Sequence, residues 1–170
     1  MADTYIQGSF AFRCAAAERD LIQEVIYATR DLSDEEEPEK PSATLLAVFP
    51  PTDETDTWSG LRGAFADPAY PIIGADFTSE DDPDRPNGCV AIFSSMIDFD
   101  PEVIAMLVHR CCKETLQNGA IGFQWAVSCS KPRIDEFGGG WCAVFPDRIE
   151  IESTHEPLSR ALGGKGGNHG

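Results

Sequence analysis

Acidic segments rich in proline interrupt the first hundred residues and limit where regular structure can form. They are DLSDEEEPEKP (31–41), PTDETD (51–56), DFTSEDDPDRP (76–86) and DFDPE (98–102). Proline cannot donate a backbone hydrogen bond, and carboxylates seldom lie in a core. We therefore expect loops at 33–41 and over SEDDPDRPNG, with strands and helices in the apolar stretches between them.

Hydrophobic periodicity predicts the elements of the first part. YIQGSFAF (5–12) alternates as a half-buried strand does, and residues 15–32 change to helical spacing. ATLLAVFPP (43–51) is apolar and ends in two prolines, which predicts a short strand. One or two helical turns at 57–65 and a strand at 72–78 complete this part.

The second part restarts the same order. CVAIFSSMI (89–97) predicts a strand, and Asp100 followed by Pro101 predicts the start of a helix. That helix ends at Asn118–Gly119, since either residue tolerates the backbone conformation of a C-cap. The remaining predicted elements are strands at 121–129, 141–145 and 148–152, a short helix that stops at Gly163, and a flexible tail over 163–170.

These patterns predict an α+β fold in a single domain, 1–162, with an antiparallel sheet and helices on one face. The order strand–helix–strand–strand occurs twice, which divides the domain into halves 1–86 and 87–162. The tetrapeptide AVFP recurs at 47–50 and 143–146. Four matching residues leave duplication and chance equally open.

The net charge of −16 excludes several classes of partner. Residues 1–100 carry 21 of the 29 acidic side chains but only 6 of the 13 basic ones. Such a field repels nucleic acid and anionic membranes and attracts basic protein surfaces. The simpler interpretation is that acidic loops only keep the protein soluble. Without a signal-peptide pattern or an apolar run of membrane-spanning length, we expect a cytoplasmic protein.

Catalytic and metal-binding motifs are missing from the sequence. G-x-S-x-G, H-E-x-x-H and the phosphate-binding glycine motifs do not occur. His109 and Cys112 can share a helix face, but a catalytic thiolate needs an exposed, electropositive site. These two residues with Cys129 and Cys142 are zinc-type ligands, yet they lack the close pairing of structural zinc sites. We expect no catalytic residue, no metal and no cofactor, and cysteines that act as small buried hydrophobes.

The glycines of EFGGGWCAVF (136–145) raise an alternative, a site for a small anionic ligand or an enzyme substrate. A phosphate-binding loop normally joins a strand to a helix N-terminus, whereas these glycines precede an apolar strand. A mobile or bulged turn leading into a hairpin is therefore the favoured interpretation. The residues of the alternative site are Lys131, Arg133, Gly138, Gly139, Gly140 and Arg148.

Four segments together carry a resemblance. SFAFRC near the N-terminus, with FQWAVSCS, EFGGGWCAVF and IEIEST, resembles a group of uncharacterised cytoplasmic proteins from bacterial plasmids and integrative elements, over most of the chain. The group has no established activity to carry over to particular residues. The resemblance implies a mobile-element context, in which small acidic proteins often act against host restriction or CRISPR systems.

Charge and this context predict a non-enzymatic protein that binds a basic protein surface, such as the nucleic-acid-binding surface of a host protein. It would act there as a nucleic-acid mimic or anti-defence inhibitor, without binding nucleic acid itself. A homo-oligomer with a structural role is a third interpretation, and the sequence leaves the oligomeric state open. The predicted contact residues are Asp34, Glu35, Glu36, Glu37, Asp53, Glu54, Asp56, Glu80, Asp81, Asp82 and Asp84.

Overall fold

The computed structural model describes residues 3–134 and 136–163, in which the chain forms six strands and six helices. In chain order these are β1 (Thr4–Ala15), α1 (Ala16–Ser33), α2 (Ala43–Val48), α3 (Ser59–Arg62), β2 (Asp76–Asp81), β3 (Gly88–Ser95), α4 (Pro101–Cys111), α5 (Lys113–Asn118), β4 (Ile121–Cys129), β5 (Gly138–Val144), β6 (Ile149–Ser153) and α6 (His155–Gly163). None of the helices in these residues is both long enough and apolar enough to cross a membrane.

The strands form one sheet in the order β2-β3-β1-β4-β5-β6, and every neighbouring pair is antiparallel. The predicted α+β fold is confirmed. Within the sheet, β1–α1–β2 and β3–α4–β4 form two units whose strands alternate as β2-β3-β1-β4. This is the split β-α-β, or ferredoxin-like, arrangement, which many unrelated functions share.

Helices α1 and α4 pack on the same face of the sheet, where the core lies. Helix α1 contacts β1 and β3, α4 contacts β5 and β6, and the two helices contact each other. Phenylalanines from three strands stack beneath them, with the ring centroid of Phe10 4.4 Å from Phe123 and 5.7 Å from Phe93. The opposite face carries small or polar exposed residues such as Ser9 and Gln124. The alternation of the strands therefore separates a buried face from an open one.

The prediction of a strand at 43–51 is wrong, because this segment forms helix α2. Ser42 is its N-cap, and the Ser42 hydroxyl accepts a hydrogen bond from the Leu45 amide at 3.0 Å. The Ser42 amide and hydroxyl in turn donate to the Glu24 carboxylate of α1, each at 2.7 Å. A capped segment of alanine and leucine favours a helix, and the apolar pattern alone did not distinguish it from a buried strand.

The helix predicted from Asp100 to Gly119 begins as expected but is broken in the middle. The Asp100 carboxylate accepts from the amides of Glu102 and Val103, and Pro101 occupies the first helical position. The helix stops at Cys111, and α5 restarts after Cys112. A buried carboxylate from α1 takes the role of cap for this second helix, as described below.

The two halves, 1–86 and 87–162, each contain a strand–helix–strand unit, but their remaining elements differ. The first half inserts α2 and α3, whereas the second adds β5, β6 and α6. AVFP at 47–50 includes the end of a helix, and AVFP at 143–146 includes the end of a strand. The tetrapeptide therefore does not mark equivalent positions.

Several predicted boundaries shift, β1 extending to Ala15 and β2 to Asp81, and one prediction falls largely outside the described residues. Strand β2 begins at Asp76 instead of residue 72, after Gly74, whose φ of +69° only glycine adopts easily. Strand β5 begins three residues before Trp141, so the glycines lie inside it. The tail at 163–170 is described only at Gly163.

Candidate functional site

Two acidic loops lie near the C-terminal half of α1. The loop after α1 carries Asp34–Glu37 with exposed side chains, and the loop before α3 carries exposed Asp53 and Glu54. A surface cavity of about 440 Å³ lies between the second half of α1, residues 38–42 and Trp58. The cavity therefore lies between the end of the first predicted acidic segment and Trp58, two residues after the second segment.

Most carboxylates of these loops have no basic partner. Among residues 3–134 and 136–163, the ion pairs include Asp56 with Arg62 at 3.9 Å but none from Asp34–Glu37, Asp53 or Glu54. The Asp53 carboxylate accepts instead from the amide and hydroxyl of Thr55, and these hydrogen bonds hold its pKa below the usual value. The carboxylates of Asp34–Glu37, Asp53 and Glu54 thus make no ion pair within the described residues, and the basic residues Arg30 and Lys40 line the neighbouring cavity.

The third predicted segment, 80–84, lies at the other end of α1. It comprises the end of β2 and the start of the β2–β3 connection, and the Asn87 carbonyl of that connection accepts from the Ala16 amide at 2.9 Å. An 18-residue helix is about 27 Å long, so 80–84 and 34–39 belong to separate patches. Glu80 and Asp81 are exposed.

Asp82 is inaccessible to a partner because its side chain is 0% exposed. Its carboxylate accepts from the Asp84 amide at 3.0 Å and lies 3.4 Å from the Arg13 Nε. Arg13 also pairs with Asp84 at 3.3 Å. The role of Asp82 in this structure is to order the β2–β3 connection.

An exposed apolar patch next to the first acidic region was missed by the sequence reasoning. Ile72, Met96 and Ile97 are 61%, 72% and 64% exposed. Met96 and Ile97 line a cavity of about 630 Å³ together with Gly74 and Ala75, and the same two small residues line a smaller cavity with Ile72 and Asp34. These three side chains and the loops at 34–37 and 53–54 are called the acidic–apolar surface below.

The strand-like pattern at 89–97 did not indicate this patch. It predicts a strand to Ile97, but β3 ends at Ser95, and the Ile97 amide donates a hydrogen bond to the Ser95 hydroxyl at 3.3 Å. Met96 and Ile97 therefore lie beyond β3 with exposed side chains, while the Ile97 carbonyl still accepts a hydrogen bond from the Ile6 amide of β1 at 2.8 Å. The signal that could have identified them is Asp98, whose carboxylate also accepts from Ser95 and closes a turn.

The glycines of the alternative ligand site have a packing role. Gly140 pairs with Trp125 across β4 and β5, and a Cβ on Gly140 would lie 2.3 Å from the Trp125 ring and 2.5 Å from the Glu152 carbonyl. A Cβ on Gly139 would lie 2.3 Å from the Trp125 carbonyl. Gly138 pairs with Val127. The glycines thus create the space in which an indole covers the sheet.

The basic residues of that alternative site are not brought together. Lys131 and Arg133 are exposed beyond the end of β4, near the glycines. Arg148 lies beyond the opposite end of β5, about 20 Å away for a strand of seven residues. Its guanidinium pairs with Asp147 and Glu150 and stacks on Phe145. The geometry gives no convergent anion site.

The Cys112 thiol and the His109 imidazole, considered above as a catalytic pair, do not have the exposed, electropositive environment that a catalytic thiolate needs. Cys112 is fully buried, and burial raises the pKa of its thiol, with Glu18 adding to the effect. Burial is also the main reason why the pKa of His109 is lowered, followed by the charge of Lys113. Within the described ranges, no three His, Cys, Asp or Glu side chains are grouped to hold a metal ion.

Comparisons with known proteins found no match: no family model, no curated protein and no solved structure matches this chain. The function of this protein must therefore be inferred from the acidic–apolar surface itself.

Proposed function

We propose that this protein acts by binding a basic protein surface through its acidic–apolar surface. The observation that carries the proposal is that a carboxylate without an ion-pair partner lies near exposed apolar side chains: Asp34 and Ile72 line one cavity, which adjoins the cavity that Met96 and Ile97 line. Protein interfaces combine apolar anchors with a polar rim in this way. A patch of this kind on a free surface indicates an interaction site.

The charge favours a particular partner. A surface whose carboxylates lack internal partners attracts Lys and Arg, speeds association and loses that advantage in high salt. Proteins that hold nucleic acid present clustered Lys and Arg. We infer that the partner is such a protein, and that the acidic loops take the place of phosphates. Inhibition of a nucleic-acid-handling defence protein is the biological form of this proposal.

A capture experiment tests the proposal. The tagged protein is incubated with nuclease-treated host lysate and eluted in salt steps from about 0.1 to 1 M, the range in which screening of exposed charges changes most. We expect elution of a basic, nucleic-acid-handling protein at moderate salt. Added duplex DNA should compete for that protein. Recovery of no basic protein, or binding that DNA does not affect, contradicts the proposal.

Two charge-matched variants locate the contact. E36K/E37K and E80K/D81K make the same change in net charge at opposite ends of α1. We expect E36K/E37K to weaken binding by at least about tenfold and to flatten its salt dependence, because these carboxylates belong to the same loop as Asp34, which lines a cavity with Ile72. E80K/D81K should have a smaller effect. Equal effects would mean that only net charge matters.

A third variant separates the apolar contribution. M96S/I97S removes two exposed anchors without altering charge, and truncation of a buried interface anchor typically costs more than about 1 kcal/mol. We expect weaker binding at every salt concentration with an unchanged salt slope. Binding equal to that of the unaltered protein would exclude Met96 and Ile97 from the interface.

A further inference from the structure

Two buried thiols face each other at the end of the sheet near the start of α1. Cys14 of β1 and Cys89 of β3 are direct cross-strand partners, and their sulfur atoms are 3.4 Å apart. The two residues are only 2% and 0% exposed. Cys89 also contacts the carbonyl oxygens of Cys14 and Ala15 through its sulfur. The backbone register therefore holds the thiols together without a covalent bond.

The distance between the sulfur atoms is close to what a disulfide requires. Formation of an S–S bond of about 2.05 Å needs the sulfurs to approach by a little over 1 Å. Cross-strand neighbours have Cβ atoms about 4.5–5.5 Å apart, just above the disulfide range. A small side-chain rotation and a slight contraction of the β1–β3 pair can close this gap.

A surface cavity lies next to one of the two cysteines. Cys14 lines a surface cavity of about 410 Å³, whose other walls come from the start of α1, the β2–β3 connection and α5. Cys89 does not line that cavity, and its sulfur lies 3.4 Å from the sulfur of Cys14. Because Cys14 is only 2% exposed, an oxidant in the cavity reaches its sulfur when the surrounding segments open locally, and Cys89 is then next to it as the second thiol.

We propose that Cys14 and Cys89 form a redox-active dithiol, which a peroxide converts into a cross-strand disulfide. Cys14 attacks one oxygen of hydrogen peroxide and the O–O bond breaks. The other oxygen leaves as water with the thiol proton, and Cys14 becomes a sulfenic acid. Cys89 then attacks the Cys14 sulfur, the S–O bond breaks, and a second water leaves. One peroxide is reduced and two thiols are oxidised. An external dithiol reverses the reaction by thiol–disulfide exchange.

The environment of the pair sets the rate of this reaction. Burial raises the pKa of the Cys14 thiol, and the neighbouring Cys89 and Glu18 raise it further. The thiolate is the nucleophile, so its small population makes oxidation slower than that of an exposed cysteine. The pair is thus a site for sustained oxidant exposure and not a rapid peroxide scavenger.

Peptide mapping of the oxidised protein tests the proposal. The whole protein is treated with hydrogen peroxide, blocked with an alkylating reagent, digested without reductant and analysed by mass spectrometry. We expect a linked peptide that joins Cys14 to Cys89, lighter by two hydrogens and released by dithiothreitol. The oxidised protein should also have a higher urea midpoint, since the bond restricts the unfolded chain between the two residues.

Two variants and the competing products complete the test. C142S removes a buried cysteine of β5 and should leave the link intact, whereas C14S should abolish it and leave Cys89 reduced. A predominant link between Cys89 and Cys112, or between Cys111 and Cys112, overturns the proposal. So does a Cys14 that becomes sulfinic acid without any link. The map of the unaltered protein decides the matter even if C14S fails to fold.

Discussion

Glu18 is the residue on which the junction of three elements depends. Its side chain is buried, and both carboxylate oxygens are fully used. One oxygen accepts from the amides of Glu114 and Thr115 at 2.8 and 3.0 Å, and the other accepts from the Ala15 amide at 3.1 Å and from the Thr115 hydroxyl. A single carboxylate thus fixes the start of α1 to the start of α5.

The periodicity within α1 alone predicts a solvent-facing Glu18, because it takes no account of residues outside that helix. The buried Glu18 carboxylate is satisfied by hydrogen-bond donors of Glu114 and Thr115, which lie almost a hundred positions later in the chain. By contrast, the cap at Asp100 was predicted correctly, since all its partners lie within three residues. Local hydrogen bonds can be read from a sequence, whereas the partners of a buried charge depend on the tertiary fold.

We expect Glu18→Gln to lower the free energy of unfolding by about 2 kcal/mol, the typical cost of leaving buried donors without a charged acceptor. The glutamine side chain has only one acceptor oxygen, and its NH₂ group would face the N–H and O–H donors that bind the carboxylate. Glu102→Gln, on the exposed surface of α4, is the matched control and should change stability by less than about 0.5 kcal/mol. Urea unfolding measures both, and equal midpoints would contradict the role assigned to Glu18.

At the scale of elements, segments with clear alternation were predicted best. Strand β4 was predicted with its observed limits, and β3 and α6 within two residues. Helix α2 was missed because a six-residue apolar run fits a helix or a strand, and Ser42 and Glu24 decide between them. The start of β5 was missed because glycine carries no periodic signal, although Gly138–Gly140 pair fully with β4.

The glycines of β5 allow a direct test of packing against ligand binding. We expect Gly140→Ala to destabilise the protein by about 2 kcal/mol, because the new methyl group would overlap the Trp125 ring and a backbone carbonyl. Gly122→Ala in β4 is the control, since its Cβ would lie 3.5 Å from the nearest atom. Thermal unfolding and Trp fluorescence compare the two. If both variants are equally stable, Gly140 is not required for packing.

At the scale of the whole molecule, the fold separates the acidic segments of the sequence into two regions. Periodicity supports an antiparallel sheet, but the central position of β1 could not be predicted, because it depends on which strands pair across α1 and α4. The same topology places 34–37 and 80–84 at opposite ends of α1. The apolar patch at Met96 and Ile97 follows from this arrangement too, since β3 ends where the sheet meets the loop at 71–75.

The uncompensated charge should make the stability of the whole protein depend on salt. With a net charge of −16, repulsion among carboxylates opposes folding, and added salt screens it as the Debye length falls from about 30 Å at 0.01 M to about 3 Å at 1 M. We expect the urea midpoint to rise with NaCl. E36K/E37K/E54K, which reverses three exposed charges, should be more stable at low salt and less sensitive to salt. A midpoint that falls as NaCl is added would mean that attractive pairs such as Arg13–Asp84 outweigh the repulsion.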